Sequence, residues 1–391
     1  MILFNQASHV LTKIECLHSN GGFTLNKKKL LSLLTLGLSA SVLLAACGNE
    51  SEEATSGVDE TANSSSVEST DTEPTGDDFS VVMITDVGGV DDKSFNQSAW
   101  EGLTAWGEEN GKSKGLGGYE YIQSDTEADF ITNLTTGVNN GFNVVFGVGY
   151  ILKDAMQETA SNYPDTLFAI IDDEIKGENT TSVLFADNEA AFLAGVAAAK
   201  TTKTNHVGFV GGMEGVVIDR FEAGFYAGVK SVSEDIEVTV QYVGSFADAA
   251  QAKSIANGMY SSGVDIIYQA AGNAGNGVFA EARDIVTADP SREIYVIGVD
   301  RDQQEEGKMT VDGEERDLTL TSTVKGVGVA AQEIANLAMN NEFPANEVQF
   351  LGLAEGGVSL TDGVLSEEAI TAVREAEQAI INGEVEVPET P

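Results

Sequence analysis

From Phe79 onward the chain alternates short apolar runs with longer amphipathic stretches. VVMITD (81–86), YEYIQSD (119–125), NVVFGVG (143–149) and LFAIIDD (167–173) are rich in β-branched and aromatic residues, and each ends in Gly or Asp, which suit the turn out of a strand. Between them, SAWEGLTAWGEEN and ADFITNLTTGVNNG space their apolar residues three or four apart, the period of a helix with one buried face. Near-continuous apolar strands belong to a sheet covered on both sides. The alternation restarts at HVGFVGG (206–212), QYVGSF (241–246), DIIYQAAG (265–272) and EIYVIGVD (293–300). The pattern predicts two successive parallel α/β sheets.

Open α/β sheets bind ligands beyond the carboxyl ends of their strands. Asp86, Gly147, Gly149, Asp172, Gly211, Gly212, Gly272 and Asp300 fall there. Two such sheets in tandem can turn their strand ends toward one cleft, the architecture of solute-binding proteins that close about a hinge.

The first 78 residues follow another pattern. Three lysines (27–29), the apolar run LLSLLTLGLSASVLLAA and then Cys47 form the basic, apolar and small-residue segments of a secretory signal. Leu44-Ala45-Ala46-Cys47 resembles the lipobox of bacterial lipoproteins, in which the Cys is acylated and becomes the first mature residue. The run of about 17 residues lies at the lower limit for a membrane-spanning helix. Residues 1–26 show no periodicity and read as an over-extended start. Residues 48–78 carry ten acids, no Lys or Arg, and almost no large apolar side chain, a composition expected to stay disordered as a tether.

Composition narrows the chemistry. With 21 Lys+Arg against 62 Asp+Glu, the net charge is -41, which opposes nucleic-acid binding. Three His and two Cys leave zinc sites and His-based triads short of residues. Cleavage before Cys47 would remove four Lys and one Glu, leaving 17 basic and 61 acidic residues, net -44. A single remaining Cys permits no internal disulfide.

The densest candidate segment is TDVGGVDDKSFNQSAWEG, 85–102: glycines to turn the chain after a strand, Asp and Ser to cap, and a helix from about Phe95. It lacks GxGxxG and GxxxxGK[ST], so neither a dinucleotide nor a triphosphate is expected. Phe95 beside Asn96 offers an aromatic face and an amide to a planar ring. Tyr150, Phe221 and Phe246 also lie near strand ends, and together with Phe95 they can sandwich a flat ligand. Asp172 and Asp300 are placed to accept the hydrogens of a vicinal diol such as ribose, and Lys325, in LTLTSTVKG, offers a donor at another strand end. Asp91-Asp92 and Asp172-Asp173 could instead serve a metal or acid-base chemistry, but adjacent strand residues point to opposite faces. No enzyme activity, metal or cofactor is expected.

ITDVGGVDDKSFNQSAWEGL, GVGY, IIDD, EAAFLAG, VGFVGG with DRFEAGFYAGV, VGSFADAAQAK, and VIGVD with a later STVKG resemble, in order, the basic membrane protein family, PnrA-like lipoproteins that bind nucleosides for ABC transporters. The resemblance implies a type I periplasmic-binding-protein fold, two parallel-sheet lobes joined by a hinge, with a nucleoside between them, a purine favoured. It implies that Phe95 stacks on the base, that Asp86 and Asn96 meet its polar edge, and that Phe221 and Phe246 close from the second lobe. Asp172, Gly272, Asp300 and Lys325 would ring the remaining edges, the last two on the ribose. MTVDGEERDL (309–318) looks like an insertion between Asp300 and Lys325.

The expected organisation is a signal region (1–46), a lipidated Cys47 with its tether (47–78), a first lobe (79–203 plus 326–349) and a second (204–325 plus 350–391). The expected protein is a monomer, lipid-anchored at the outer face of a bacterial cell membrane, which hands nucleosides to a permease and its ATPase. The same fold holding riboflavin, a sugar or a signal molecule for a sensor system is the alternative.

Overall fold

The computed structural model describes residues 79–391; the signal region, Cys47 and the tether lie outside the described residues. The elements of the first part are β1 (Val81–Thr85), α1 (Phe95–Glu109), β2 (Tyr119–Ile122), α2 (Phe130–Asn139), β3 (Val144–Val148), α3 (Lys153–Asn162), β4 (Leu167–Ile171) and β5 (Thr180–Phe185). Then come α4 (Asp187–Thr201), β6 (His206–Gly211), α5 (Val216–Val232), β7 (Glu237–Tyr242), α6 (Ala249–Ser261), β8 (Ile266–Ala270), α7 (Asn276–Ala288) and β9 (Tyr295–Gly298). The chain continues through α8 (Gln304–Gly307), β10 (Lys308–Val311), β11 (Glu314–Asp317), β12 (Thr319–Lys325), α9 (Val327–Met339), β13 (Glu347–Leu351), β14 (Val358–Leu360) and α10 (Glu367–Ile381).

Two six-stranded sheets result, in the orders β13-β5-β4-β3-β1-β2 and β14-β12-β9-β8-β6-β7. All pairs are parallel except β12 with β14. The chain passes from the first sheet to the second after β5, returns after β12, and crosses again between β13 and β14. This is the predicted α/β architecture with two parallel-sheet lobes.

Strand alternation sends successive residues to opposite faces. Val81 and Met83 join a core with α1, α4 and α9. Val82 and Ile84 join one with α2 and α3. The second sheet divides likewise: Phe209 and Tyr268 pack under α5, whereas Val210 and Ile267 pack under α6 and α7. Both faces are therefore covered, which forces functional groups to the strand ends.

One strand expectation needs correction, and one strand was not expected. The run QYVGSF (241–246) is not a strand throughout: β7 begins at Glu237, and Gly244, at φ 79°, leads the chain away from the sheet. β5 is a fully paired inner strand although Thr180, Thr181 and Ser182 open it. Its hydroxyls are satisfied by backbone carbonyls, Thr180 on Gly177 at 3.0 Å and Thr181 on Glu347 at 3.3 Å, so a polar sequence is buried without penalty. The 309–318 segment forms the hairpin β10–β11, and Lys325 keeps its place at the end of β12.

Candidate functional site

The carboxyl ends of both sheets meet at one cavity, the place where open α/β sheets bind ligands. All nine residues expected from the sequence line it: Asp86, Phe95, Asn96, Asp172, Phe221, Phe246, Gly272, Asp300 and Lys325. Tyr150, Gly149, Asp92 and Ile218 also line it.

The loop after β1 is built around two carboxylates. Asp86 accepts from the Gly88 N–H at 2.7 Å and from Asn96 Nδ2 at 2.7 Å. Asp92 accepts from the N–H groups of Ser94, Asn96 and Gln97 at 2.8, 2.8 and 3.1 Å. Capping of α1 therefore falls to Asp92. Ser94, expected to share it, makes no side-chain cap; its hydroxyl instead donates to Asp300 Oδ2 in the opposite lobe. Asn96 is held by both carboxylates, since its Nδ2 also lies 3.0 Å from Asp92. This clamp fixes Phe95 at the cavity wall.

Asp172 and Asp300 follow β4 and β9, which occupy matching positions in the two sheets. Both adopt left-handed backbone, φ 76° and 67°, strained for a residue with a side chain. Such strain concentrates where a side chain must be aimed. Lys325 Nζ lies 2.6 Å from Asp172 Oδ2 and 2.9 Å from Asp187 Oδ1. Its ammonium also lies 5.2 Å from the Phe95 ring centre and 5.5 Å from that of Phe221. Asp172 Oδ1 and the Tyr150 hydroxyl are buried with no hydrogen-bond partner among the described residues.

The lobes touch through further polar contacts. Gln303 Nε2 donates to the Lys93 carbonyl at 2.8 Å, Asn276 Nδ2 to that of Asp92 at 3.0 Å, and Arg301 meets Glu101 at 3.0 Å. Tyr150 and Phe246 pack edge to face, their centres 6.1 Å apart.

Four carboxyls and one ammonium line the cavity. Burial pushes Asp86 up to about 7 against the Gly88 hydrogen bond, and the Asp92 charge adds to the rise. Burial likewise raises Asp300 to about 6, although Lys325 pulls it down, and it raises Asp92. Desolvation opposes the charge on Lys325, but Asp172, Asp187 and Asp300 outweigh it and hold its pKa above the ordinary lysine value. The Tyr150 hydroxyl is pushed up to about 12, by burial first and then by Asp86, so it remains a donor. The site thus suits a flat, uncharged ligand with several hydrogen-bond donors. A phosphate would face the carboxylates.

Asp187 is the residue the sequence concealed. As the first residue of α4 it reads as an ordinary acidic helix start, yet it is buried beside Lys325. Asp92 was visible only as one of an adjacent acidic pair.

Residues 79–391 match the family model described as ABC transporter substrate-binding protein PnrA-like. The "CD4+ T-cell-stimulating antigen" of Listeria innocua is 46% identical, covering 93% of this chain and 100% of that protein. The "ABC transporter nucleoside-binding protein BmpA" of Lactococcus lactis is 43% identical, covering 93% and 99%. The crystal structure of an ABC transporter solute-binding protein from Aeropyrum pernix superposes with a TM-score of 0.69 at 25% identity, over 80% of this chain and 94% of that one. Such proteins bind a substrate for transport and are not enzymes. The two-lobe fold, the cavity between the sheets and the match across all described residues agree: the chain belongs to the PnrA-like family of ABC transporter substrate-binding proteins.

Proposed function

We propose that this protein captures nucleosides, purines preferentially, between its two lobes and delivers them to the permease and ATPase of an ABC importer. One observation carries the reading: aromatic rings from both lobes, Phe95 on one side and Phe221 and Phe246 on the other, border a cavity whose polar lining is mainly carboxyl. Aromatic walls favour a planar base. Carboxylates favour ribose hydroxyls and ring or exocyclic N–H groups over phosphates, so the nucleoside fits better than the nucleotide. The name of the Lactococcus relative supports the same reading.

In this account Phe95 stacks on the base while Asp86 and Asn96 meet its edge. Phe221 and Phe246 close over it, Asp300 and Lys325 hold the ribose, and Asp172 and Gly272 complete the ring. Contacts from both lobes favour the closed state, which the permease receives. The lipobox-like Leu44-Ala45-Ala46-Cys47 supports anchoring by lipid at the outer face of the membrane, with residues 48–78 as the tether of a protein that acts as a monomer in this proposal. Among the described residues no helix is long and apolar enough to cross a membrane.

A thermal-shift panel on the purified chain, stripped of co-purified ligand, tests this reading with nucleosides, free bases, ribose and riboflavin. A nucleoside at 100 times its Kd should add about 2.7 kcal/mol, while its base and ribose alone leave the melting curve in place. A shift with riboflavin or a sugar and none with any nucleoside would reject the proposal.

A further inference from the structure

Lys325 is the only cation lining the cavity among the described residues, and it answers to two carboxylates of different standing. Asp172 lines the cavity and keeps one oxygen unpartnered; Asp187 does not line it. Asp187 begins α4, directly after the chain leaves β5, and Lys325 ends β12, directly before the chain returns through α9. Their contact thus joins two of the three segments that connect the lobes. Asp187 is 1% exposed; its Oδ1 pairs with the ammonium at 2.9 Å, and its Oδ2 has no hydrogen-bond partner among the described residues. A buried carboxylate with no other partner is costly to keep, and packing alone does not call for one.

We propose that Asp187 is a positioning residue for ligand capture: as the second counter-ion of Lys325, it balances the ammonium at the hinge so that Asp172 can turn its charge to the ligand. With Asp187 present, a ligand donor that draws on Asp172 leaves Lys325 neutralised. Without it, Asp172 is the sole close counter-ion, and each hydrogen bond to the ligand competes with the ion pair. The groups acting on Asp187 are Lys325 of β12, Asp172 after β4 and Arg220 of α5. Tyr268 of β8 feels its charge, and Asp300 after β9 acts on it through the shared lysine. This inference rests on the nucleoside reading only for its probe.

The test is a double-mutant cycle on the full chain, read by calorimetric titration with adenosine, guanosine and inosine. Asp187→Asn should raise Kd about tenfold near pH 8, where Asp187 is ionised, and by much less near pH 6, where burial has already let it take up a proton. Asp187→Ser, which keeps an oxygen at the helix start, should do the same. In a Lys325→Met background the substitution should change Kd by less than about twofold, since its effect passes through the lysine. An equal loss with and without Lys325, or a lowered melting point with Kd and pH profile unchanged, would overturn the proposal and leave Asp187 a structural residue. If no nucleoside binds the wild type, the functional reading fails, and the same cycle is read in unfolding of the ligand-free chain. There an absent Asp187–Lys325 coupling would overturn the pairing itself.

Discussion

Replacing Lys325 with Met removes one charge from a site that holds several of the opposite sign. The side chains of Lys325, Asp172 and Asp187 are 3%, 5% and 1% exposed, so the pair is screened little by water. Breaking a buried pair by deleting one partner costs about 3–5 kcal/mol, because a charge is left uncompensated. The penalty should depend on pH. Asp86, Asp187 and Asp300 have folded-state pKa values raised to about 7, 7 and 6, burial being the first cause. Groups raised in this way contribute stability that is full below the unfolded value of 3.8 and is lost as pH climbs through the folded values. Lys325 pulls Asp187 and Asp300 down, so its loss raises them further and steepens the decline. Urea unfolding of the ligand-free protein near pH 5 and pH 8 measures this. The variant should lose about 3–5 kcal/mol at the higher pH and clearly less at the lower, where the carboxyls take up protons. A penalty of the same size at both values, or none at either, would refute the electrostatic account of the site.

Ligand binding should have the opposite pH sign. If ribose hydroxyls donate to ionised Asp300, whose pKa stands at about 6, affinity should fall about tenfold between pH 7 and pH 5, which calorimetry at several pH values would show. Gly212→Ala should weaken nucleoside binding several-fold with little loss of melting temperature, because the new methyl would overlap the Phe246 ring and displace it from the cavity. Gly102→Ala should do the reverse: its methyl would overlap the Gly328 carbonyl where α1 and α9 touch, costing about 1–3 kcal/mol in thermal unfolding while leaving Kd near the wild-type value.

The strand ends were legible because burial on both faces writes itself as an apolar run followed by a turn residue. That signal located Asp86, Asp172 and Asp300. It reached Phe246 even though β7 was displaced along the chain, since the loop and not the strand carries that ring to the cavity. β5 escaped because hydroxyls bonded to carbonyls let Thr and Ser occupy an inner strand. Ser94 misled for a related reason: a Ser before a helix reads as a cap, and only the approach of the second lobe shows its hydroxyl meeting Asp300. Asp187 was hidden most deeply, because its burial depends on two inter-lobe crossings far apart in sequence.

The central claim is most directly tested by isothermal titration of the stripped protein with adenosine, guanosine and inosine, alongside their free bases and ribose. The account predicts one site per chain for a nucleoside, a negative heat-capacity change from burial of the base, and no measurable heat for either half alone. Saturable one-site binding of a sugar, a flavin or a nucleotide, with every nucleoside silent, would contradict it.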